Sequence, residues 1–317
     1  MEGLFPGSLY VELARRERES DGTIILAEGR TTLDGSVDAR GLQMSAITLA
    51  RLTANAKLVN GSGQVRALLA GRRGAAFEFS TLADVSPDQI RLTGKGSVER
   101  RPLALNQAAV LTRSGDGWSL APTSISFARG RAVVSGRSGS RPEVHAQLQS
   151  MPLEVLDLGW PDLDLSGVAS GRLDYAWKGN RSGRADLKIR GLSRAGLVLA
   201  SKPIDVGLAA VVSGNQAAMR AVAVSGGQTI GRAQARFSPI GGGELLAELF
   251  NAPLFAQLRY AGPSDTLWRL SGTEIFDLTG PVAIGADIGG RLVDPTIRGS
   301  VRTTSARLES AVTGTLI

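Results

Sequence analysis

Residues 165–191 read LSGVASGRLDYAWKGNRSGRADLKIRG, and this stretch decides the fold because apolar and polar residues alternate on both sides of a glycine-rich turn. Strict alternation places successive side chains on opposite faces of a strand. Residues 278–299, LTGPVAIGADIGGRLVDPTIRG, repeat the order of Leu-Ser/Thr-Gly, alternating segment, turn and Ile-Arg-Gly. A weaker echo occupies residues 90–122. Repetition of a strand–turn–strand unit predicts a sheet that grows by added hairpins.

The apolar residues of the alternating segments are predicted to share one face of this sheet. The pattern recurs in residues 252–262, APLFAQLRYAG. The candidate groove residues on this face are Leu173, Tyr175, Trp177, Leu187, Ile189, Leu254, Leu258, Tyr260, Ile284 and Ile288.

Three segments interrupt the alternation and predict short helices. They are residues 150–162 (SMPLEVLDLGWPD), 242–253 (GGELLAELFNAP) and 262–272 (GPSDTLWRLSG). Ser150 is the predicted N-cap of the first, and Ser264 or Asp265 is the predicted N-cap of the third. Helices this short persist only when they dock against other elements.

Trp268 in the third segment is a candidate plug or gate of the groove. The nearest apolar surface that could receive it lies beside Leu258, Tyr260 and Ile275. A permanent staple is favoured over a gate that opens, because burial of a Trp side chain removes a large apolar area from water.

These observations predict a mainly β protein in which one elongated antiparallel sheet curls into a groove with two or three short helices. Residues 1–150 are expected to form a meander and residues 151–317 a repeated helix–strand–strand array. The boundary near 150–160 is soft, and the two parts form one continuous array.

Composition excludes several classes of function. The chain has no Cys, so disulfides and Cys-ligated metals are absent. His145 is the single His, which rules out multi-His metal sites and disfavours a His-dependent triad. Gly accounts for 40 of 317 residues and aromatic residues for only 5%, which fits a thin, turn-rich β structure better than a thick core. We expect no catalytic activity, no cofactor and no metal.

Motifs that resemble reactive or binding sites have simpler interpretations. Residues 61–66, GSGQVR, lack the third Gly and the helix of a dinucleotide loop and predict a hairpin turn. Asp162 and Asp164 are expected at a polar edge rather than around a divalent cation. His145 is expected on a strand surface, and Trp118 is interpreted as a sheet-packing anchor.

The formal charge of +7 makes nucleic acid and anionic lipid headgroups the partners to consider. Basic residues are scattered singly along the alternating segments, without the aromatic interleaving of a single-strand nucleic-acid platform. No nucleic-acid partner is therefore expected. An uncovered apolar strip normally marks a binding surface, and linear hydrocarbon is the ligand that matches a long groove lined by small aliphatic residues.

From residue 165 onward the chain resembles the TamB family of translocation and assembly module proteins, in its alphaproteobacterial version. The stretches that carry the resemblance are residues 191–240, 252–272 and 276–314 and, less specifically, residues 117–136. The resemblance implies a β-taco with a hydrophobic groove, within the AsmA-like proteins that move phospholipid between membranes. Family members are anchored in the inner membrane of Gram-negative bacteria, span the periplasm and engage TamA, an outer-membrane barrel.

The chain is expected to be a fragment of such a protein, without the N-terminal anchor and the C-terminal segment that meets the barrel. The expected function is passive carriage of acyl chains along the groove, linked to outer-membrane assembly. A structural β-solenoid stalk or adhesin-like passenger, with a closed interior and no lipid, is the alternative.

Overall fold

Alternating side chains and frequent glycine turns give the chain a succession of long strands. The computed structural model describes residues 18–27, 30–44, 47–158, 160, 163–194, 201–271 and 276–310. Its strands are β1 (Arg18–Ala27), β2 (Arg30–Met44), β3 (Ile47–Val59), β4 (Ser62–Arg73), β5 (Ala75–Val85), β6 (Gln89–Val98), β7 (Arg101–Leu105), β8 (Ala109–Ser114), β9 (Gly117–Phe127), β10 (Gly130–Arg137), β11 (Glu143–Pro152), β12 (Leu165–Trp177), β13 (Arg181–Arg194), β14 (Ile204–Ser213), β15 (Gln216–Ser225), β16 (Gln228–Phe237), β17 (Leu254–Pro263), β18 (Phe276–Thr279), β19 (Pro281–Arg291), β20 (Asp294–Thr303) and β21 (Arg307–Ser310). The helices are a 3₁₀ helix (Leu153–Leu158), α1 (Leu245–Asn251) and α2 (Ser264–Leu270).

Nineteen of these strands form one sheet. Nearly every strand pairs antiparallel with the next strand in sequence. The short strands β7 and β8 share one position, since both pair with β6 on one side and β9 on the other. Farther along, β17 pairs directly with β19, while β18 and β21 form a separate two-stranded sheet. The predicted fold class, one large antiparallel sheet with three short helices, is confirmed.

The two repeated sequence phrases both contribute antiparallel hairpins, β12–β13 and β19–β20. The glycine of each Leu-Ser/Thr-Gly triplet has positive φ, 123° at Gly167 and 106° at Gly280. A Cβ at Gly167 would lie 2.8 Å from the Arg190 carbonyl oxygen, and one at Gly280 would lie 2.6 Å from that of Ser305. Only glycine fits such a position without displacing backbone, so the phrase repeats because the same backbone conformation is needed twice.

The dinucleotide-like residues 61–66 form the start of β4 after a two-residue hairpin turn, as predicted. Asn60 and Gly61 both have positive φ, 50° and 74°, between the paired residues Val59 and Ser62. This is the conformation that Asn-Gly favours in hairpins.

Two predicted helix caps are wrong. Ser150 lies in β11 at a break in the register, with φ of 47°, and the segment after it is a 3₁₀ helix. In α2 the N-cap residue is Pro263, and no side chain caps the helix. The Ser264 hydroxyl donates instead to the carbonyl oxygens of Leu278 and Gly280, at 3.0 and 2.9 Å, which joins α2 to β18.

The sheet continues without a break across the boundary predicted near residues 150–160, because β11 pairs with β12. The intervening 3₁₀ helix lies against a buried cluster, in which Val155 packs near Phe127 and Met151. Its Glu154 forms a 2.5 Å ion pair with Arg101 of β7. Among the described residues, no helix has the length and apolar character needed to cross a membrane.

Phe127→Ala is expected to lower the free energy of unfolding by about 3–5 kcal/mol, because Phe127 is fully buried and its removal leaves a cavity. Phe255→Ala is the matched control, since Phe255 is 57% exposed. Urea denaturation of both variants checks the prediction. Equal unfolding free energies for the two variants would show that the cluster around Phe127 does not hold this part of the sheet together.

Candidate functional site

Registers across the sheet arrange the apolar side chains in rows that run perpendicular to the strands. Directly paired residues point to the same face, so each row can be followed from strand to strand. Each row is named after the residue that it contains in β12 or β13. The Tyr175 row comprises Leu33, Leu58, Gly63, Val85, Ile90, Leu111, Leu120, Gly136, Val144, Tyr175, Gly183, Val212, Ala217, Phe237 and Leu254.

Three shorter rows lie beside it on the same face. The Leu173 row comprises Val134, Ala146, Leu173, Ala185, Ala210, Met219, Ala235, Ala256, Ile288 and Ile297. The Leu187 row comprises Leu105, Ile125, Ala132, Leu148, Gly171, Leu187, Leu208, Ala221, Ala233, Leu258, Ala286 and Gly299. The Ile189 row comprises Met151, Ala169, Ile189, Val206, Ala223, Gly231, Tyr260, Ile284 and Val301.

We call the face that carries these four rows the inner face. No charged or amide side chain occurs in any row, and beyond Val134 the Leu173 row continues to Thr123, whose buried hydroxyl donates to the Ala121 carbonyl oxygen at 2.8 Å. Across β13–β16 the two middle rows, those of Leu173 and Leu187, are half-buried, whereas the residues between them on the opposite, outer face are mostly exposed. The middle of the inner face is thus apolar and only partly covered.

Helix α1 covers one side of the inner face. Its Leu249 packs against Ala217, Phe237 and Leu254, which belong to the Tyr175 row. Its Leu246 side chain, in contrast, is 49% exposed. The Tyr175 row is therefore closed over by α1 in this part of the sheet, and we call this side the α1 rim.

A strap formed by residues 238–244 ties the α1 rim to the start of β13. The buried guanidinium of Arg181 donates to the carbonyl oxygens of Gly241 and Gly243, the latter at 2.6 Å. It also lies 4.6 Å from the centre of the Trp177 ring, in a cation–π arrangement. Trp177 thus points to the predicted face but supports the strap at the strand end.

Helix α2 covers the opposite side, which we call the α2 rim. Leu267 and Leu270 pack against a cluster that includes Ile204, Ile230 and Tyr260. All three side chains are partly buried, but Leu267 and Leu270, and not Trp268, pack against this cluster, so these two leucines carry the docking that the sequence assigned to Trp268. Ile275, predicted beside it, lies outside the described residues.

Polar contacts hold α2 in place. Buried Asp265 forms a 2.8 Å ion pair with Lys202, which precedes β14. Arg269 donates two hydrogen bonds to the carboxylate of Asp277 in β18, at 3.0 and 2.6 Å. The hydroxyl of Tyr260 donates to the Pro263 carbonyl oxygen at 2.6 Å, and burial raises the pKa of this phenol. The α2 rim is therefore fixed from β14 to β18.

All ten candidate groove residues lie on the inner face. Leu173, Ile288, Leu187 and Leu258 belong to the two middle rows, whereas Tyr175, Leu254, Ile189, Tyr260 and Ile284 belong to the rows at the rims. Trp177 lies one pair beyond the Tyr175 row. Their contact with lipid stays a prediction.

Sequence reasoning missed the alanines of the middle rows. Ala210, Ala221, Ala233, Ala235 and Ala256 occupy inner positions of β14–β17 between the two rims. The signal was available, because alanine recurs at alternate positions in segments such as residues 232–237, RAQARF. Small side chains here leave space above the sheet.

The outer face carries a charged cluster whose partners the sequence did not indicate. Nδ1 of His145 lies 2.7 Å from Asp174 and its Nε2 lies 2.9 Å from Glu143. Hydrogen bonds to Asp174 and then Glu143 raise the pKa of His145, and the bond from His145 lowers the pKa of Glu143. Within the described residues, no group of three His, Asp or Glu side chains has a metal-binding arrangement. Asp162 lies outside the described residues.

No protein-family model, curated protein or solved structure matches the chain.

Titration of the His145 ring is expected to show a pKa above the ordinary value of about 6.5, since both ring nitrogens face carboxylates. Because the folded-state pKa is raised, these bonds stabilise the fold fully below the unfolded-state pKa. This stabilisation is lost as the pH rises through the folded-state pKa. NMR reports the midpoint without ambiguity, as His145 is the single His. Asp174→Asn should lower it, and a wild-type midpoint at or below that of the urea-unfolded chain would contradict the cluster.

Replacing the α2 leucines is expected to weaken the α2 rim more than replacing its tryptophan. Leu267→Ala with Leu270→Ala should lower the free energy of unfolding by about 2–5 kcal/mol, because both side chains pack in the cluster. Trp268→Ala should cost less, since Trp268 is not among the residues that pack against the cluster. Urea denaturation measures both. If Trp268→Ala lowered the free energy of unfolding more than the double leucine variant did, Trp268 would be the residue that holds α2 to the sheet.

Proposed function

We propose that the inner face is a passive conduit for phospholipid acyl chains. The observation that carries the proposal is the continuity of the apolar rows, which no charged or amide side chain interrupts. An acyl chain that lies on these rows keeps its methylene groups out of water, while the headgroup remains at a rim in contact with solvent.

The dimensions of the inner face match such a ligand. Two residues along a strand advance about 6.7 Å, so the four rows span about 20 Å from rim to rim. An acyl chain fills one leaflet, about half of the ~30 Å hydrocarbon thickness of a bilayer. The Tyr175 row crosses fifteen strand positions, or about 65 Å at the usual strand spacing. One chain fits between the rims, and the strip is several chains long.

Energetics favours retention without tight fixation. Each buried methylene is worth about 0.8 kcal/mol, so two acyl chains prefer the groove to water by a large margin. The lining repeats the same types of small and aliphatic residue from strand to strand, so a lipid shifted by one strand meets a similar surface. Movement along the rows then needs no chemistry and no specific anchoring group.

The alternative, a closed structural stalk, is favoured less by these observations. A parallel β-helix would stack coils around a filled interior, whereas the strands here pair antiparallel in sequence order. Across β13–β16 the two middle rows are half-buried rather than enclosed, although Ala132 of the Leu187 row belongs to the buried cluster around Phe127. These features suit a surface that receives an apolar ligand.

We place this conduit, on the basis of the resemblance to the TamB family, in the periplasm of a Gram-negative bacterium, within a longer protein anchored in the inner membrane. The lipid would then pass towards the outer membrane, where a TamA-like barrel would be the partner. The residues of the inner face carry the lipid part of this proposal, and the resemblance carries its location and its protein partner.

Ala256→Asp is expected to abolish acyl-chain binding, because it introduces a carboxylate into the Leu173 row, where an apolar ligand would leave the charge unpaired. Ala261→Asp is the matched control: it makes the same change in the same strand on the outer face. A phospholipid with a photoreactive acyl chain should crosslink to inner-face residues such as Leu258 in the wild type and in Ala261→Asp, and these inner-face crosslinks should be lost in Ala256→Asp.

Single-cysteine labels keep this test decisive if Ala256→Asp folds poorly. The chain has no Cys, so Ala256→Cys and Ala261→Cys each take one environment-sensitive fluorophore. Added phospholipid should shift the emission of the label at Ala256 and leave that at Ala261 unchanged. Equal responses of the two labels, or the absence of crosslinks at inner-face residues of the wild type, would refute the conduit.

A further inference from the structure

The outer face of β14–β17 contains a cavity. Its volume is about 540 Å³, and its outer-face lining includes Ala209, Val211, Ala218, Arg220, Arg236 and Phe255, while Ala210, Met219 and Ala235 of the Leu173 row also contribute to the lining. Ala209 pairs with Arg220, and Ala218 lies between Val211 and Arg236 in the register. The alanines therefore form a low floor, with the larger side chains around it.

Two guanidinium groups converge at this cavity. Arg220 pairs with Gln234, and Arg236 is two residues farther along the same strand. Such diagonal neighbours lie about 7–8 Å apart on one face of a sheet, within reach of one ligand group for long side chains. Both arginines are exposed, and within the described residues neither makes an ion pair or a side-chain hydrogen bond.

Three of the four strands around the cavity carry no negative charge. No Asp or Glu occurs in β15, β16 or β17, and in β14 the carboxylate of Asp205 accepts a hydrogen bond from the Gly191 backbone N–H at 2.9 Å. Arg232 and Arg259 are paired directly across β16 and β17, and like charges in this arrangement repel. The nearest carboxylates lie on neighbouring strands and are engaged, Asp186 with Arg184 at 2.7 Å and Asp287 with Arg259 at 3.6 Å. An anion bound here would relieve repulsion among the arginines.

The rest of the lining is apolar and open to solvent. Val211 is 50% exposed and Phe255 is 57% exposed, on opposite sides of Ala218 and Arg236 in one cross-strand row. Paired guanidinium groups suit the oxygens of a phosphate. The apolar walls suit a hydrocarbon group attached to that phosphate.

We infer that this outer-face cavity binds a phosphate group that carries an apolar substituent, with Arg220 and Arg236 on the phosphate and Val211 and Phe255 on the substituent. Two sources offer this chemistry, a phospholipid headgroup with the first part of its chains and a soluble organic phosphate. The inference does not depend on the conduit, since these four residues lie on the opposite face of the sheet.

The test uses two probes and calorimetry. Glycerol 1-phosphate has no acyl chain and reports the phosphate site alone. Dihexanoylphosphatidylglycerol, below its micelle concentration and in the Ala256→Asp background that blocks the inner face, reports the phosphate together with the apolar walls. Arg220→Gln with Arg236→Gln should lower the affinity for both probes by about tenfold or more, because charge-assisted hydrogen bonds are lost.

A matched control exists on the same face. A second cavity of about 590 Å³ in β3–β7 also has two basic lining residues, Arg66 and Lys95, but Glu78 and Asp84 lie on the outer face of β5 beside it. Arg66→Gln with Lys95→Gln removes the same charge and should leave both affinities unchanged. Equal weakening by the two double variants would show a diffuse charge effect and overturn the site.

Phe255→Ser separates the two sources. If the ligand is a lipid, this change should weaken dihexanoylphosphatidylglycerol and leave glycerol 1-phosphate unaffected. Unchanged affinity for both probes would overturn the apolar half of the inference and assign the cavity to a soluble phosphate. No binding of either probe to the wild type would overturn the whole. Single-stranded DNA that binds the wild type more tightly than both probes do, and no longer binds Arg220→Gln with Arg236→Gln, would also overturn the inference.

Discussion

The structure depends on one constraint: most strands satisfy their backbone hydrogen bonds with their neighbours in sequence, while among the described residues the second sheet, β18 with β21, is too small to cover the apolar face of the nineteen-stranded sheet. The backbone hydrogen bonds between strands form whether or not either face of the sheet is covered. The four apolar rows therefore need cover from elsewhere, and the short helices provide it only at particular places. Buried clusters form where α1, α2 and the 3₁₀ helix lie against the sheet, and the middle rows stay half-buried between them.

This constraint explains the distribution of residue size along a strand. In β16 the inner positions read Gly231, Ala233, Ala235 and Phe237, so the side chains are small in the middle and large at the α1 rim. In β17 Leu254 and Tyr260 are the buried ends, and Ala256 lies between them. Large residues anchor the helices at the rims, and small ones keep volume free above the middle of the sheet. A protein that needed only a stable sheet would gain by filling that volume, because apolar burial is its main source of stability.

Much of the fold could be predicted from the sequence because alternation has a local cause. Leu173 and Tyr175 share a face whatever their partners are, and Asn60–Gly61 turns the chain whatever follows. The missed features all depend on contacts between distant residues. Arg181 holds carbonyl oxygens 60 and 62 residues away, and His145 meets Asp174 across a strand pair 29 residues apart. Ser150 was predicted as a helix cap because the sequence does not show the register break that places Ser150 in β11. That break depends on the pairing of β11 with β12.

The same reasoning separates the two faces as sources of function. On the inner face the common property is repeated in every strand, so alternation alone identified candidate residues. On the outer face the cavity at Arg220 and Arg236 exists only because the register brings a diagonal pair of arginines beside two alanines from other strands. The sequence shows the basic residues scattered singly, and for Arg184, which is paired with Asp186, that description also holds in the structure. It fails for β15–β17, where four arginines share three strands without a carboxylate. Charge scattered along a sequence becomes concentrated once a meander stacks its strands, and composition cannot report this.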